Sequence, residues 1–163
     1  MDALTKICNR GYGEAQIEKL LKAKKNGMFL LFDVDKFKHI NDTYGHSIGD
    51  EVLIQVADAL KQTFEQAGVC MRLGGDEFAV YAPEITEQMQ AETMIQAFFE
   101  RIRNIAIPQM EGDAISVSLG AVLCAPDREH VFEKVYQRAD ATMYTCKKVI
   151  GNSYDFYTGR NPA

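Results

Sequence analysis

Residues 69–81 read Val-Cys-Met-Arg-Leu-Gly-Gly-Asp-Glu-Phe-Ala-Val-Tyr, two β-forming runs either side of Gly74-Gly75-Asp76. Residues 69–72 and 78–81 are predicted strands, and paired glycines before an aspartate supply the turn chemistry of a tight hairpin. A hairpin makes its two strands antiparallel, so the sheet holding them is not all parallel. Upstream, Met28-Phe29-Leu30-Leu31-Phe32 is an apolar run of strand length, which predicts a strand buried on both faces. It ends in Asp33-Val34-Asp35. Downstream, residues 115–124 alternate, with Ile115, Val117, Leu119, Ala121 and Leu123 on one face and Ser116, Ser118 and Gly120 on the other.

Helices fill the intervals. Helical spacing predicts them over 13–25, over 36–44 (short, closed by Gly45) and over 49–66, the last carrying Val52, Leu53, Val56, Leu60 and Phe64. Thr86 is the expected cap of a helix with Met94, Ile95, Phe98, Phe99 and Ile102 on one stripe. A last helix is expected over 128–150, with Val131, Phe132, Val135, Ala139, Met143 and Cys146 buried, before an edge strand at 154–157. Helices interleaved with a hairpin-containing sheet define an α/β chain of the α+β kind, read as a single domain over 1–163.

Composition bounds the function. The 163 residues are 47% hydrophobic and 25% charged, the balance of one globular core. The longest apolar run is too short to cross a bilayer and the N-terminus lacks a signal-peptide core, so a cytoplasmic domain without membrane contact is expected. A net charge of −5 argues against nucleic-acid binding, which needs a basic surface. Cys8, Cys70, Cys124 and Cys146 are scattered with no CxxC pair, against a zinc site or disulfide framework.

Two acidic clusters remain. Asp33 and Asp35 close a buried strand, and Asp76 and Glu77 sit at the hairpin tip. If the hairpin pairs beside the first strand, their carboxylates converge at one sheet edge. Like charges held together repel, so such an edge calls for a cation. Oxygen ligands without histidine or thiolate select a hard ion, Mg²⁺ or Mn²⁺, the ion phosphoryl and nucleotidyl transfer require. Taken singly, each acid has a plainer role: Asp33 or Asp35 as a helix cap, worth about 0.5–2 kcal/mol, and Asp76 as a turn residue.

The chain resembles the GGDEF (diguanylate cyclase) family. Gly74-Gly75-Asp76-Glu77-Phe78 is its signature, with Arg72 two residues ahead. Asp33-Val34-Asp35-Lys36-Phe37-Lys38-His39-Ile40-Asn41-Asp42 is similar to its D-x-D-x-F-K-x-I-N-D segment, continuing into Gly45-His46 and Gly49-Asp50. Asp2-x-Leu4-Thr5 with Asn9-Arg10, Val117-Ser118-Leu119-Gly120, and Ala139-Asp140 with Met143-Tyr144 and Lys147 resemble the remaining family motifs, in order along the whole chain.

The resemblance implies a palm-like nucleotidyl-cyclase fold, a mixed and mostly antiparallel sheet of about five strands wrapped by helices. It implies that two GTP are condensed into cyclic di-GMP and pyrophosphate across a homodimer, with Mg²⁺ or Mn²⁺. Asp33, the Val34 carbonyl and Asp76 are the implied metal ligands, and Glu77 assists the second metal and deprotonation of the ribose 3′-hydroxyl. Phe37 and Lys38 offer backbone N–H groups to the phosphates, Lys147 reaches them as a point charge, and Asn41 and Asp50 read guanine. A carboxylate at Asp50 accepts from guanine N1–H and N2–H, a donor pair adenine lacks, and so argues for GTP over ATP. A fused regulatory domain outside this chain is implied as the driver of pairing, leaving the isolated domain weakly active.

Two departures stand out. The R-x-x-D product-inhibition motif of many relatives falls on Glu65-Gln66-Ala67-Gly68, so feedback binding is not expected there. The arginine of the K-x-x-G-R-N helix end falls on Gly151. The rival readings are a non-catalytic GTP-binding module, which the absent arginine favours, and a purely structural domain.

Overall fold

A computed structural model describes residues 1–125 and 130–159. The elements run α1 (Arg10–Lys22), β1 (Gly27–Val34), α2 (Phe37–Tyr44), α3 (His46–Phe64), β2 (Val69–Gly74), β3 (Glu77–Pro83), α4 (Gln88–Arg103), a 3₁₀ turn (Pro108–Met110), β4 (Val117–Leu123), α5 (Phe132–Cys146) and β5 (Ser153–Phe156). The five strands lie in the order β2-β3-β1-β4-β5. Pairs β2–β3, β3–β1 and β1–β4 are antiparallel and β4–β5 is parallel. The hairpin makes the sheet not all parallel, as expected, and the mixed, mostly antiparallel α+β sheet of five strands is the one the family resemblance implies.

Strand alternation divides the interior in two. Met28, Leu30, Phe32 and Val34 of β1 face a core built with α3 and α4, while Phe29 and Leu31 face a second core built with α1 and α5. Helices therefore cover both faces, which is why β1 is apolar at every position up to Asp33. The same sandwiching changes the reading of β4. Its serine face is not solvated, for Ser118 is fully buried beneath α5.

Boundaries differ from the sequence expectation at several places. Helix α1 runs Arg10–Lys22, three residues ahead of the expected 13–25, because Asn9 caps it by accepting from the Tyr12 N–H. Helix α3 begins at His46, three residues early, because Gly45 at φ +90° breaks the chain from α2 and lets a new helix start at once. Thr86 does not cap α4: the cap position is Glu87, with no side-chain bond. The expected start of the last helix at Arg128 lies outside the described residues, and Val131, placed on its buried stripe, is exposed at the N-cap of α5. That helix ends at Cys146 instead of Ile150, leaving Lys147 at its C-cap. Among the described residues, no helix is long and apolar enough to cross a membrane.

Candidate active site

The β1–β3 register pairs Asp33 with Glu77, and the β1–β4 register pairs Asp33 with Ser118. Alternation puts Asp33 and Glu77 on the α1/α5 face, in line with Phe29 and Leu31 of β1 and Ala79 and Tyr81 of β3. Just beyond, the Val34 N–H donates to the Asp76 carbonyl at 3.3 Å, tying the hairpin tip to the end of β1. Asp33, Val34, Asp76 and Glu77 thus meet at one sheet edge.

Charge at this edge is poorly compensated. The Lys147 Nζ donates to Asp33 Oδ1 at 2.6 Å. Burial nevertheless pushes the Asp33 carboxyl up to about 6, because desolvation outweighs the ammonium and nearby Asp76 and Asp35 add repulsion. Burial likewise raises Asp76 above the ordinary carboxylate range. Asp35 is engaged differently. The Ser116 and Ser118 hydroxyls each donate to it at 2.6 Å, and its N–H donates to the Ser116 carbonyl at 2.9 Å. It pins the end of β1 to the start of β4. Neither Asp33 nor Asp35 caps α2, whose cap position is Lys36 with no side-chain bond.

Among the described residues, no three His, Cys, Asp or Glu side chains gather closely enough to hold an ion by themselves. Two desolvated carboxylates beside a backbone carbonyl are an oxygen-only set that fits Mg²⁺ or Mn²⁺, which keep waters or phosphate oxygens as further ligands. Glu77 is engaged elsewhere, its Oε1 accepting from the Tyr136 hydroxyl at 2.6 Å. Sequence reasoning missed Tyr136. The available signal was a tyrosine amid the apolar stripe of α5, since a buried hydroxyl requires a partner.

Just beyond β1, Lys36 adopts a left-handed conformation (φ 54°) and α2 opens at Phe37 with its first N–H groups uncovered by any side chain. A cavity of about 660 Å³ adjoins this turn, lined by Asp35, Lys36, His39, Lys147, Lys148 and Gly151 among others. Asn41 and Asp50 lie on the other side, where α2 and α3 meet, and Asp50 is exposed. The glycine at 49 permits that approach, since a Cβ there would stand 1.8 Å from Asn41 Oδ1. This oxygen is the one buried side-chain N or O atom without a hydrogen-bond partner among the described residues. Asp50 and Asn41 are therefore not in the same cavity as Lys147, but flank the turn that leads to it.

Two further residues find their places. Arg72 serves the hairpin itself, donating from Nε to the Gly75 carbonyl at 2.9 Å and pairing with Asp2 at 3.2 Å. Gly151 has φ +89°, so the turn after α5 is built on a glycine at the position where the resemblance to the K-x-x-G-R-N pattern expects arginine. The neighbouring Asn152 matches the family pattern and accepts from the Val117 N–H at 2.9 Å, fastening the turn to β4.

A helix-covered sheet of this topology, with opposed acids at the β1–β3 edge and a glycine hairpin beside them, defines a class of nucleotide-cyclase domain. Residues 1–153 match the family model described as "Diguanylate cyclase, GGDEF domain", and the chain belongs to the GGDEF family. It is 36% identical over 160 residues to diguanylate cyclase DosC of Escherichia coli, covering 91% of this chain and 33% of that protein. It is 31% identical over 147 residues to the uncharacterized protein YtrP of Bacillus subtilis, covering 90% of this chain and 24% of that one. The chain thus spans a third or less of these curated relatives. Among solved structures, the GGDEF domain of TpbB (YfiN) from Pseudomonas aeruginosa superposes with a TM-score of 0.84 at 27% identity, covering 96% of this chain and 94% of that one. The GGDEF domain of DgcB from Caulobacter crescentus, in complex with c-di-GMP, superposes with a TM-score of 0.85 at 25% identity, covering 96% and 95%.

Proposed function

We propose that this domain binds GTP with a divalent metal and, paired with a second copy, condenses two GTP into cyclic di-GMP with release of pyrophosphate. The observation that carries the reading is the direct pairing of Asp33 with Glu77 across β1 and β3, with Asp76 hydrogen-bonded to the intervening chain. A divalent ion held by Asp33, Asp76 and the Val34 carbonyl would neutralise the triphosphate and polarise its α-phosphorus. The chain's own groups do the rest. Phe37 and Lys38 present backbone N–H groups to the terminal phosphates. Lys147, which donates to Asp33 at 2.6 Å, would reach the phosphates as a point charge when that carboxylate was otherwise neutralised. Asn41, whose amide oxygen has no partner, gains a bond by turning it to the guanine amino group, and Asp50 accepts from the same edge of the base. Glu77 receives the proton of the 3′-hydroxyl that attacks the other copy's α-phosphorus.

The test is chromatography of products after concentrated protein is incubated with GTP and Mn²⁺, alone and with the protein fused to a dimerising coiled coil. Cyclic di-GMP is the expected product, more of it in the fusion. A second reading, a GTP-binding module without turnover, is favoured by one specific observation: the glycine at 151 removes a cation from the phosphate end. A fused, saturated and metal-supplied protein that raises its melting temperature with GTP but yields no product would establish that reading instead. We also infer that the domain occupies the whole of 1–163 and works in the cytoplasm under a regulatory segment.

A further inference from the structure

Glu77 is an acid of the site that no ion pair holds among the described residues, and the group that does hold it comes from a helix position no family motif singled out. The Tyr136 hydroxyl donates to Glu77 Oε1 at 2.6 Å across a separation of 59 residues. The tyrosine ring is itself fixed. It stacks on Phe132 with centroids 6.2 Å apart and planes at 30°, and the Arg10 guanidinium stands 5.9 Å above it. Burial first, and Glu77 second, raise the phenol above its ordinary range, so it remains a proton donor throughout the neutral region.

A glutamate side chain at a strand end has three rotatable bonds. One hydrogen bond from a packed ring to Oε1 removes most of that freedom and leaves Oε2 as the oxygen able to meet a ligand. Since Glu77 stands opposite Asp33 in the register, the fixed carboxylate faces the same sheet edge. Carboxylates that bind metal are commonly held by such an outer hydrogen bond, and losing it typically costs about 10–100-fold in metal affinity or activity.

We propose that Tyr136 is the positioning residue of Glu77, presenting Oε2 to the divalent ion of the nucleotide site; this rests on the metal–GTP reading given above. The test is calorimetric titration of Mn²⁺ into protein saturated with a GTP analogue lacking a 3′-hydroxyl, which binds without reacting. Tyr136→Phe keeps the ring against Phe132 and Arg10 and removes only the donor. It is expected to weaken Mn²⁺ binding about tenfold, to leave the melting temperature of metal-free protein within about 2 °C, and to have no further effect in a Glu77→Gln background. Arg10→Ala, which removes the cation over the ring and leaves the hydroxyl, serves as the packing control and keeps wild-type Mn²⁺ affinity. Equal Mn²⁺ affinity in wild type and Tyr136→Phe overturns the proposal and leaves the metal–GTP reading standing. A Tyr136→Phe loss that persists undiminished in Glu77→Gln, or that Arg10→Ala reproduces, also overturns it. A wild type that binds no Mn²⁺ with the analogue present overturns the functional reading itself, and the proposal with it.

Discussion

The hairpin edge and the turn after α5 both supply charge to the same site, yet they are built on opposite principles. Asp33, Asp76 and Glu77 are fixed by sheet register: Asp33 pairs with Glu77, and the tip is tied by the Val34–Asp76 bond and by Arg72 on the Gly75 carbonyl. Lys147 and Lys148 lie at the end of a helix and on the irregular chain beyond it, secured mainly by Asn152 on β4. The edge has the family's residues in a rigid frame, and the turn departs from the family where the frame is loosest. Chemistry that demands geometry within tenths of an ångström belongs on the first, and charge that need only be nearby can sit on the second.

The contrast is put at risk most directly at Glu77. If the edge does the chemistry, Glu77→Gln lowers cyclic di-GMP production by at least about a hundredfold, the scale of a lost general base, while the GTP-induced thermal shift with Mg²⁺ shrinks, because an oxygen facing the ion is lost, but does not vanish. Complete loss of that shift together with product would make Glu77 as essential to binding as Asp33 and remove the case for a separate base. Asp33→Asn goes further on the binding side, since it removes a carboxylate proposed to hold the metal: both product and the metal-dependent part of the thermal shift are expected to vanish.

Asp33 also sets a pH dependence. Its folded carboxyl titrates near 6, above its ordinary value of 3.8, so between these values the native state binds more protons than the unfolded one. Its contribution to stability is therefore greatest in acid and falls as pH rises from about 4 through about 6 in metal-free protein. GTP–Mg²⁺ binding has the opposite slope, because the ligand needs the ionised form, and weakens below about pH 6. Thermal melts of wild type and Asp33→Asn across about pH 4.5–7.5, with and without ligand, check both slopes; Asp33→Asn should reduce the metal-free slope to the part that the raised Asp76 carboxyl supplies, and should lose the ligand slope.

The turn gives smaller effects. Lys147→Ala removes a charged partner that is a third exposed, so GTP affinity should fall about tenfold at most, with turnover at saturation changed less than in Glu77→Gln. A loss in turnover equal to that of Glu77→Gln would erase the distinction drawn between the two regions.

This division also tracks what the sequence made legible. The hairpin, the buried strand and their acids could be read because local patterns carry them: Gly74-Gly75-Asp76 between two β runs, and an apolar run ending in Asp33-Val34-Asp35. Adjacency of β1 and β3 was conditional until the structure paired them. What local pattern cannot carry is the long-range side-chain partner. Tyr136 on Glu77, Lys147 on Asp33 and Asp2 on Arg72 join residues 59, 114 and 70 positions apart. Alternation placed Ser116 and Ser118 on the face opposite the apolar residues without saying what lies against it; α5 covers that face, and both serines bond to Asp35. Covering of the second face, a tertiary fact, was what the strand pattern lacked. Arg72 shows the same limit in reverse: its type was clear, its partner was open between a carboxylate of the site and a neighbouring strand, and the structure gives it the carbonyl of its own turn and Asp2.

The smallest effect probes the contrast most finely. Gly151→Arg supplies the arginine that the K-x-x-G-R-N pattern expects at this position, and nothing stands within 4 Å of where its Cβ would lie. Space is therefore no obstacle. The obstacle is the backbone, at φ +89°, which a residue with a side chain adopts at a cost of about 1–2 kcal/mol. The helix ends and the turn begins in a geometry that already presumes glycine at 151. The substitution is therefore expected to lower the melting temperature by a few degrees, about 2–4 °C per kcal/mol in a domain of this size. GTP affinity should change by less than about threefold, since a gain in phosphate contact is offset by reshaping the turn that carries Lys147 and Lys148. A tenfold tighter GTP with an unchanged melting temperature would mean that the turn relaxes freely, and that its departure from the family is a matter of one missing charge and not of a different backbone.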